Sequence, residues 1–367
     1  MIILILSGAN SPHTLNWANS LSEEGHFVYV ASQHQPLTGY NKDVNLIELP
    51  RKGLLSIFKS VIYLRGVIKR INPDIVHAHR AARYSLIGRL LKFHPLIISV
   101  WGSDVYDYPF VSKAHYFFVR SNLLSADAVA STSHCMAKQT LKIAPEIKNI
   151  HVTPFGVDLR SYSSINRSPK SQSDKIVIGT VKTMEYKYGI DTLIKSFSIL
   201  VDMLNVGSSC EHLNIELRLI GGGGQLEDLK DLANRLGVAS KVKFIGLVPH
   251  SQVPNELERF DIFVALSRSE SESFGVAVIE AGAASLPVVV SDAGGLPEVT
   301  INNVTGIVVS RDNPHEAATA IKTLVCNAQL RAAMGESGRK HVELHYSRDV
   351  CTKKMLDFYD DVLDEFN

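Results

Sequence analysis

Two glutamates, Glu272 and Glu280, flank the stretch SFGVAVI with seven residues between them. Burying an unpaired carboxylate is expensive, so acids set beside this much apolar sequence need a partner or a ligand. Gly275 opens an apolar run that continues through Val276–Ile279 to Ala281, Ala283 and Ala284, and a helix is expected to begin there. A helix start leaves N–H groups without intrahelical acceptors and carries the positive end of the helix dipole. The amides near residues 274–277 therefore suit a phosphate. Glu280 falls about five residues into the helix, roughly 7.5 Å along its axis, which is about the separation of a diphosphate from the ribose hydroxyls of the same nucleotide. A carboxylate accepts hydrogen bonds from a vicinal diol. Glu272 lies in the loop beyond the phosphate end, where a sugar would sit. Taken singly, either glutamate reads more simply as a solvated loop residue (Glu272) or a helix-face residue (Glu280).

Other segments offer weaker signals. The loop SGANSPHT places Gly8 after the first apolar run and His13 in the first turn of the next helix. In WGSD (101–104), Asp104 is expected to end a buried strand, where parallel folds present ligand groups. GGGG (221–224), with Gly222 inside it, suits a turn packed close to a ligand. It fails the dinucleotide fingerprint, because Leu226 stands where the third glycine is required. His77 and His79 alternate along a strand and face the same way, but no Cys or carboxylate completes a metal set. There is no D-x-D clamp in the chain, so no metal is expected at the site. The stretch RKGLLSIFKSVIYLRGVIKRI (51–71) reads as one amphipathic helix with Lys52, Lys59, Arg65, Lys69 and Arg70. It fits either an ordinary helix with a solvated basic face or a peripheral contact with an anionic membrane surface.

These groups need a scaffold, and the apolar pattern describes one. Strands are expected at 2–6, 27–31, 45–49, 75–78, 96–100, 128–131 and 150–153, then at 176–181, 216–220, 242–245, 262–265, 287–290 and 306–309. Several are almost wholly apolar, as parallel strands covered on both faces are. Two β/α series in succession imply an α/β protein of two doubly wound domains. The expected division is residues 1–160, a polar Ser-rich linker at 161–174, a second domain at 175–345 and a terminal helix at 346–367. The 367 residues exceed one ordinary core, and 45% hydrophobic with 20% charged residues excludes a disordered chain.

Residues 1–160 carry 17 basic and 10 acidic side chains and the remainder 21 and 27, so a net charge of +1 hides a split of +7 against −6. Cys135, Cys210, Cys326 and Cys351 are far apart and read as reduced thiols of a cytosolic protein. The start, MIILILSGAN, reads as a first strand and not a leader, and no apolar run approaches the roughly 18 residues of a membrane span. A cytoplasmic protein, at most peripheral on the inner face of a membrane, is expected.

The motifs in their order resemble the E-x7-E family 4 glycosyltransferases, which are retaining enzymes of the GT-B fold. The likeness rests on ESFGVAVIE followed by PVVVSDAGGLPE, and on NSPHTLNWANSLSEEGHFVYVAS, PDIVHAH, WGSD, PFGVD and KVKFIGLVPH, and it runs over nearly the whole chain. It implies two Rossmann-like domains facing a central cleft, with a C-terminal helix. It implies that Glu272 binds donor-sugar hydroxyls, that Glu280 binds the ribose, and that the amides of Phe274, Gly275 and Val276 hold the diphosphate. The family often has Gly-Arg-Leu followed by Lys-Gly where this chain reads TVKTMEYKYGID, so Lys182 stands for the arginine and Lys187 keeps the second cation. A lysine is a point charge without arginine's bidentate fork. Val248, after the strand KVKFIG, falls where the family holds the base. Trp101 stands where many relatives carry histidine.

The implied reaction moves a hexose-type sugar from a UDP- or GDP-sugar to a glycan or polyprenyl-linked acceptor, as in polysaccharide or O-antigen assembly. Glu272, Lys182, Lys187, Asp104 and His13 are the candidate catalytic residues and Gly8, Gly222, Val248, Phe274, Gly275, Val276 and Glu280 the candidate donor-binding ones, with no cofactor, no metal and no nucleic-acid partner. A nucleotide-sugar epimerase and a non-catalytic sugar-nucleotide-binding protein are the alternatives.

Overall fold

The computed structural model describes residues 1–51, 55–148, 150–165, 175–205 and 213–366. Lys52, Cys210 and positions 166–174 of the expected linker lie outside the described residues. The chain forms two compact units, one of Met1–Gly156 with Arg348–Asn367 and the other of Val157–Ser347.

The first unit is built on β1 (Ile2–Leu6), β2 (Phe27–Ser32), β3 (Asn45–Glu48), β4 (Ile75–His79), β5 (Leu96–Val100), β6 (Ala128–Ser131) and β7 (Ile150–Val152), in the parallel order β3-β2-β1-β4-β5-β6-β7. The second is built on β8 (Ile176–Val181), β9 (Ile215–Ile220), β10 (Val242–Gly246), β11 (Ile262–Ala265), β12 (Val288–Ser291) and β13 (Gly306–Val309), in the parallel order β10-β9-β8-β11-β12-β13. Every expected apolar run forms its strand, with ends shifted by at most one residue. The shift at β12 has a simple cause. Pro287 has no N–H for the ladder, and only its carbonyl takes part, accepting from Phe263 N at 3.1 Å.

Both sheets are doubly wound, and each reverses direction once. The chain leaves β1 for β2 and β3 and then crosses back to β4; in the second unit it leaves β8 for β9 and β10 and crosses back to β11. The crevice outside the carboxyl ends of the two strands at such a reversal is where open α/β sheets bind ligands. β4, β5, β11 and β12 are buried at every position, so their side chains form core and only the loops beyond them are available for chemistry.

The terminal helix, Arg348–Asp364, packs in the first unit. It buries Cys351, Met355, Phe358, Tyr359 and Val362, and the Tyr359 hydroxyl lies 2.6 Å from His77 Nδ1. This placement changes the charge reading. With the helix included, the first unit has 19 basic and 15 acidic residues, +4, and the second 19 and 22, −3. The acidic tail thus returns negative charge to the basic half. The basic helix expected at 51–71 is shorter, running over Ser56–Ile71 with Arg51 and Leu55 outside it, and buries Ser56, Ser60, Val61, Leu64 and Val67.

Candidate active site

The second unit brings its candidate groups together at the carboxyl ends of β8 and β11. Lys182 follows β8 directly, and its Nζ lies 2.8 Å from the Glu272 carboxylate. The two side chains are only 14% and 8% exposed. Ser267, two residues past β11, donates its hydroxyl to Glu272 Oε2 at 3.0 Å. A lysine and a glutamate 90 positions apart in sequence therefore form one nearly buried ion pair. Lys187 lies on the same loop as Lys182, and the two ammoniums are 5.0 and 4.8 Å from the centre of the Tyr188 ring. Glu185 is 3.9 Å from Lys187 Nζ.

Gly275, at φ +97°, caps the helix Val276–Ala283. A Cβ there would meet Leu296 Cδ2 at 2.9 Å, so the left-handed turn and the tight packing both require glycine. The first turn of the helix leaves the N–H groups of Val276 and Ala277 without intrahelical acceptors. Glu280 is on the same helix, and its 8% exposed carboxylate lies 2.8 Å from His250 Nε2. That hydrogen bond raises the His250 pKa above 6.5 against the opposing effect of partial burial. Tyr162 is also close to Glu280. Burial, with the Glu280 charge behind it, pushes the phenol pKa up.

The glycines of GGGG act through backbone contact. Gly221 and Gly223 have positive φ, and a Cβ on them would fall 1.9 Å from Lys182 O and 2.5 Å from Met184 O. Gly222 O accepts from Met184 N at 2.9 Å. The turn is thus a buttress for the loop that carries Lys182. Gly294 does the same for the other partner, since a Cβ there would lie 2.2 Å from Glu272 O. Val248, half-buried, follows the exposed Leu247 beyond β10.

Arg268 was not singled out in the sequence, and it is the main brace of this site. Its side chain is 10% exposed and pairs with Asp191, 2.7 Å away, and with Asp312. It also donates to Tyr186 O at 2.9 Å and Thr192 Oγ1 at 2.7 Å, and its own N–H reaches Lys187 O at 2.9 Å. Burial would raise the Asp191 pKa, but the hydrogen bonds from Arg268 and Lys195 outweigh it and hold that carboxyl down. Arg268 therefore ties the Lys187 loop to the Glu272 loop. The available signal was an arginine in SRSE, just beyond a buried strand at the sheet's reversal. His250 and Ser267 were also missed.

In the first unit, His13 lies in the first turn of the helix Pro12–Glu23. Its ring stacks on Phe155 at 3.9 Å between centroids, and Trp101 is 5.8 Å away, edge-on. Gly8 is half-buried in the loop after β1, and its carbonyl accepts from Ser11 N at 3.0 Å. Asp104 does not end a strand as expected. β5 stops at Val100, and Asp104 sits in the short turn Ser103–Tyr106. It is buried, and its oxygens accept from Ala81 N at 2.8 Å and Trp101 N at 3.1 Å. Burial pushes its pKa up, against those hydrogen bonds. His77 is bonded through both nitrogens, to Tyr359 and to Ser99 Oγ at 2.7 Å, and burial lowers its pKa to about 3. It is a neutral core residue. Among the described residues, no cluster of three or more His, Cys, Asp or Glu side chains could hold a metal ion.

Comparison with known proteins defines the class. The model described as "Glycosyl transferases group 1" matches residues 162–341, and that described as "Glycosyl transferase 4-like" matches residues 2–133. The chain belongs to the family 4 glycosyltransferases and has their GT-B fold of two Rossmann-like domains. A GDP-mannose-dependent alpha-(1-6)-phosphatidylinositol monomannoside mannosyltransferase of Mycobacterium tuberculosis is 34% identical over 147 residues, 39% of this chain and 38% of that protein. The match thus spans well under half of that relative's length. An uncharacterized glycosyltransferase of Methanocaldococcus jannaschii is 28% identical over 311 residues, covering 80% of this chain and 77% of that one. The crystal structure of HepE from Anabaena in complex with UDP has a TM-score of 0.80 at 17% identity, covering 98% of this chain and 100% of that one.

Proposed function

We propose that the protein is a retaining glycosyltransferase that moves a sugar from a UDP- or GDP-sugar to a hydroxyl of a glycan or polyprenyl-linked acceptor, in polysaccharide or O-antigen assembly. The observation that carries this reading is the convergence of Lys182, Glu272 and the N-terminus of the Glu280 helix at the reversal point of the six-stranded sheet. Glu280 takes the ribose diol, the amides of Phe274, Gly275 and Val276 take the diphosphate, and Glu272 takes hydroxyls of the donor sugar. Val248 and the turn at Gly222 flank the base. The names of similar proteins support a nucleotide-sugar donor, one being GDP-mannose-dependent and another solved with UDP.

The acceptor oxygen attacks the anomeric carbon on the face from which the diphosphate departs. The bond from that carbon to the phosphate oxygen breaks, and the leaving diphosphate accepts the acceptor's proton. Lys182, Lys187 and the helix N-terminus stabilise the charge that develops, so no metal is needed. The Lys182–Glu272 pair adds one feature to this scheme. Lys182 is paired with Glu272 and has to exchange that carboxylate for phosphate when donor enters. His13 and Asp104 are assigned to the acceptor side, His13 as a direct contact and Asp104 through the loops it holds.

A lipid-linked acceptor implies work at a membrane surface. Among the described residues, no helix is long and apolar enough to cross a membrane. The helix Ser56–Ile71 leaves Phe58, Ile62 and Tyr63 exposed, with Leu55 just before it, beside exposed Lys59, Arg65, Lys69 and Arg70. Apolar residues among cations on a solvent-facing side fit reversible docking on an anionic leaflet.

The test is mass spectrometry after incubation with a panel of UDP- and GDP-sugars and a cell lipid extract, with and without EDTA. The expected result is one added sugar with stoichiometric release of nucleoside diphosphate, unchanged by EDTA, and NMR of the product showing the donor's anomeric configuration. Epimerised donor without transfer, or binding without turnover, overturns the reading.

A further inference from the structure

Arg80 follows β4 with φ at +69°, a left-handed conformation that side chains other than glycine, asparagine and aspartate rarely adopt. The loop is held there from several directions. Arg80 N donates to Ser99 O at 2.7 Å, and its carbonyl accepts from Ser85 Oγ at 2.5 Å. Ala81 N donates to the buried Asp104, and the Ala81 and Ala82 carbonyls accept from the buried Asn122 at 3.2 and 3.0 Å. Strain that is over-determined in this way marks functional positions.

The restraint aims one group. The Arg80 side chain is exposed, and its guanidinium carbon lies 5.9 Å from the centre of the half-buried Trp101 ring. Among the described residues no carboxylate stands within ion-pair distance of it. The charge of Asp104 reaches Arg80, but both Asp104 oxygens are committed to backbone N–H groups, one of them that of Trp101. The indole is in turn packed by His79 at 4.4 Å and Phe155 at 5.5 Å. The buried His79 Nδ1 has no hydrogen-bond partner. A half-buried indole with an exposed guanidinium held over it, the nearby Asp104 carboxylate being engaged by backbone amides, suits a partly apolar ligand that ends in an anion.

We propose that Arg80 and Trp101 form a subsite for a saccharide unit bearing a carboxylate or phosphate, with the sugar ring on the indole and the anion at the guanidinium. That the saccharide is the acceptor rests on the glycosyltransferase reading; the binding itself does not. Asp104 is a positioning residue for this subsite, because it fixes the backbone of both loops.

The experiment is an equilibrium titration. Trp17 and Trp101 are the two tryptophans of the chain, so Trp17→Phe leaves Trp101 as the only indole fluorophore. Methyl glucuronide, glucose 6-phosphate, methyl glucoside and inorganic phosphate are the probes. At least one charged sugar should bind about tenfold more tightly than methyl glucoside, as expected for one charge-assisted hydrogen bond. Which one does so separates a carboxylate from a phosphate ligand. The preference should vanish in Arg80→Met, which keeps the apolar stem, and in Arg80→Gly, which suits the backbone and so preserves the fold. A preference that survives both substitutions, equal binding of charged and neutral sugars, or inorganic phosphate binding as tightly as the charged sugars overturns the proposal. Nucleoside diphosphate binding, measured separately by calorimetry, stays intact in these variants, so failure here and failure of the donor reading are distinct results.

Discussion

Lys182→Met removes the ammonium from a pair whose side chains are 14% and 8% exposed. At 2.8 Å, the attraction in an effective dielectric of about 20 is roughly 6 kcal/mol, much of it offset by stripping water from both charges. The substitution leaves Glu272 buried with the Ser267 hydroxyl as its one remaining side-chain partner among the described residues. Stranding a buried charge costs about 3–5 kcal/mol, and the lower end applies here because that hydroxyl still solvates the carboxylate. Both tryptophans belong to the first unit, so tryptophan fluorescence is blind to the change. Hydrogen exchange of the β8 and β11 amides reads it, with an expected acceleration of roughly a hundredfold for about 3 kcal/mol. Lys182→Met combined with Glu272→Leu should recover most of the loss, because no charge is then stranded. Unchanged exchange in Lys182→Met would refute the buried pair. The pair also divides the functional roles. Glu272→Gln releases Lys182 to phosphate, so UDP or GDP should bind at least as tightly as to the wild type while transfer falls by about a hundredfold. Weaker binding of the bare nucleotide would show that Glu272 does not act on the sugar alone.

Arg268→Ala should destabilise the second unit by about 2 kcal/mol, because it removes charged hydrogen bonds, leaves Asp191 paired with Lys195 alone and unties the Lys187 loop. Arg268→Lys should recover less than half of this in chemical unfolding followed by circular dichroism, since lysine lacks the fork, and full recovery would reduce Arg268 to a point charge. The His250 pKa stands above 6.5 because its imidazole bonds Glu280. The stabilisation is therefore fully present below pH 6.5 and fades as pH rises through the folded pKa, and with the imidazole 64% exposed it is worth under about 1 kcal/mol. NMR titration should show that pKa falling in Glu280→Gln and on adding nucleoside diphosphate, and no fall in Glu280→Gln would mean the bond is absent in solution. Replacing Lys52, Lys59 and Lys69 with Glu should abolish flotation with anionic liposomes in low salt, since each lysine near the surface contributes about 1 kcal/mol. A variant that floats like the parent places the docking surface elsewhere.

The scaffold was legible because its signals are local. A buried parallel strand is an apolar run wherever it occurs, and thirteen such runs placed the two sheets of the described chain to within a residue. The Glu272–Gly275–Glu280 spacing was legible for the same reason, since a loop and the helix it opens are continuous in sequence. Partnership was not legible. Lys182 meets Glu272 90 positions away, and Arg268 meets Asp191 77 positions away, distances over which only the folded topology decides who touches whom. The terminal helix shows the same limit. Its apolar face was evident, but nothing local says that this face is buried in the first unit, against which the charge count had to be revised. Asp104 was misplaced for a related reason. An acid after a buried strand looks like a ligand group, yet the turn Ser103–Tyr106 directs its carboxylate into backbone amides. The glycines of GGGG announced a turn, but the need for glycine at Gly221 and Gly223 comes from the Lys182 and Met184 carbonyls, which are remote in sequence.

The most direct measurement is calorimetry of nucleoside diphosphate binding to the wild type and to Glu280→Ala, made with the ordinary nucleotide and with its 2′,3′-dideoxy analogue. A carboxylate that holds the ribose diol should be worth about 1–3 kcal/mol, the range for a hydrogen bond to a charged group. The substitution should therefore weaken the ordinary nucleotide by that amount and the dideoxy analogue far less. Equal losses for both nucleotides, or no binding of UDP or GDP to the wild type, would contradict the assignment of this site to a nucleotide-sugar donor.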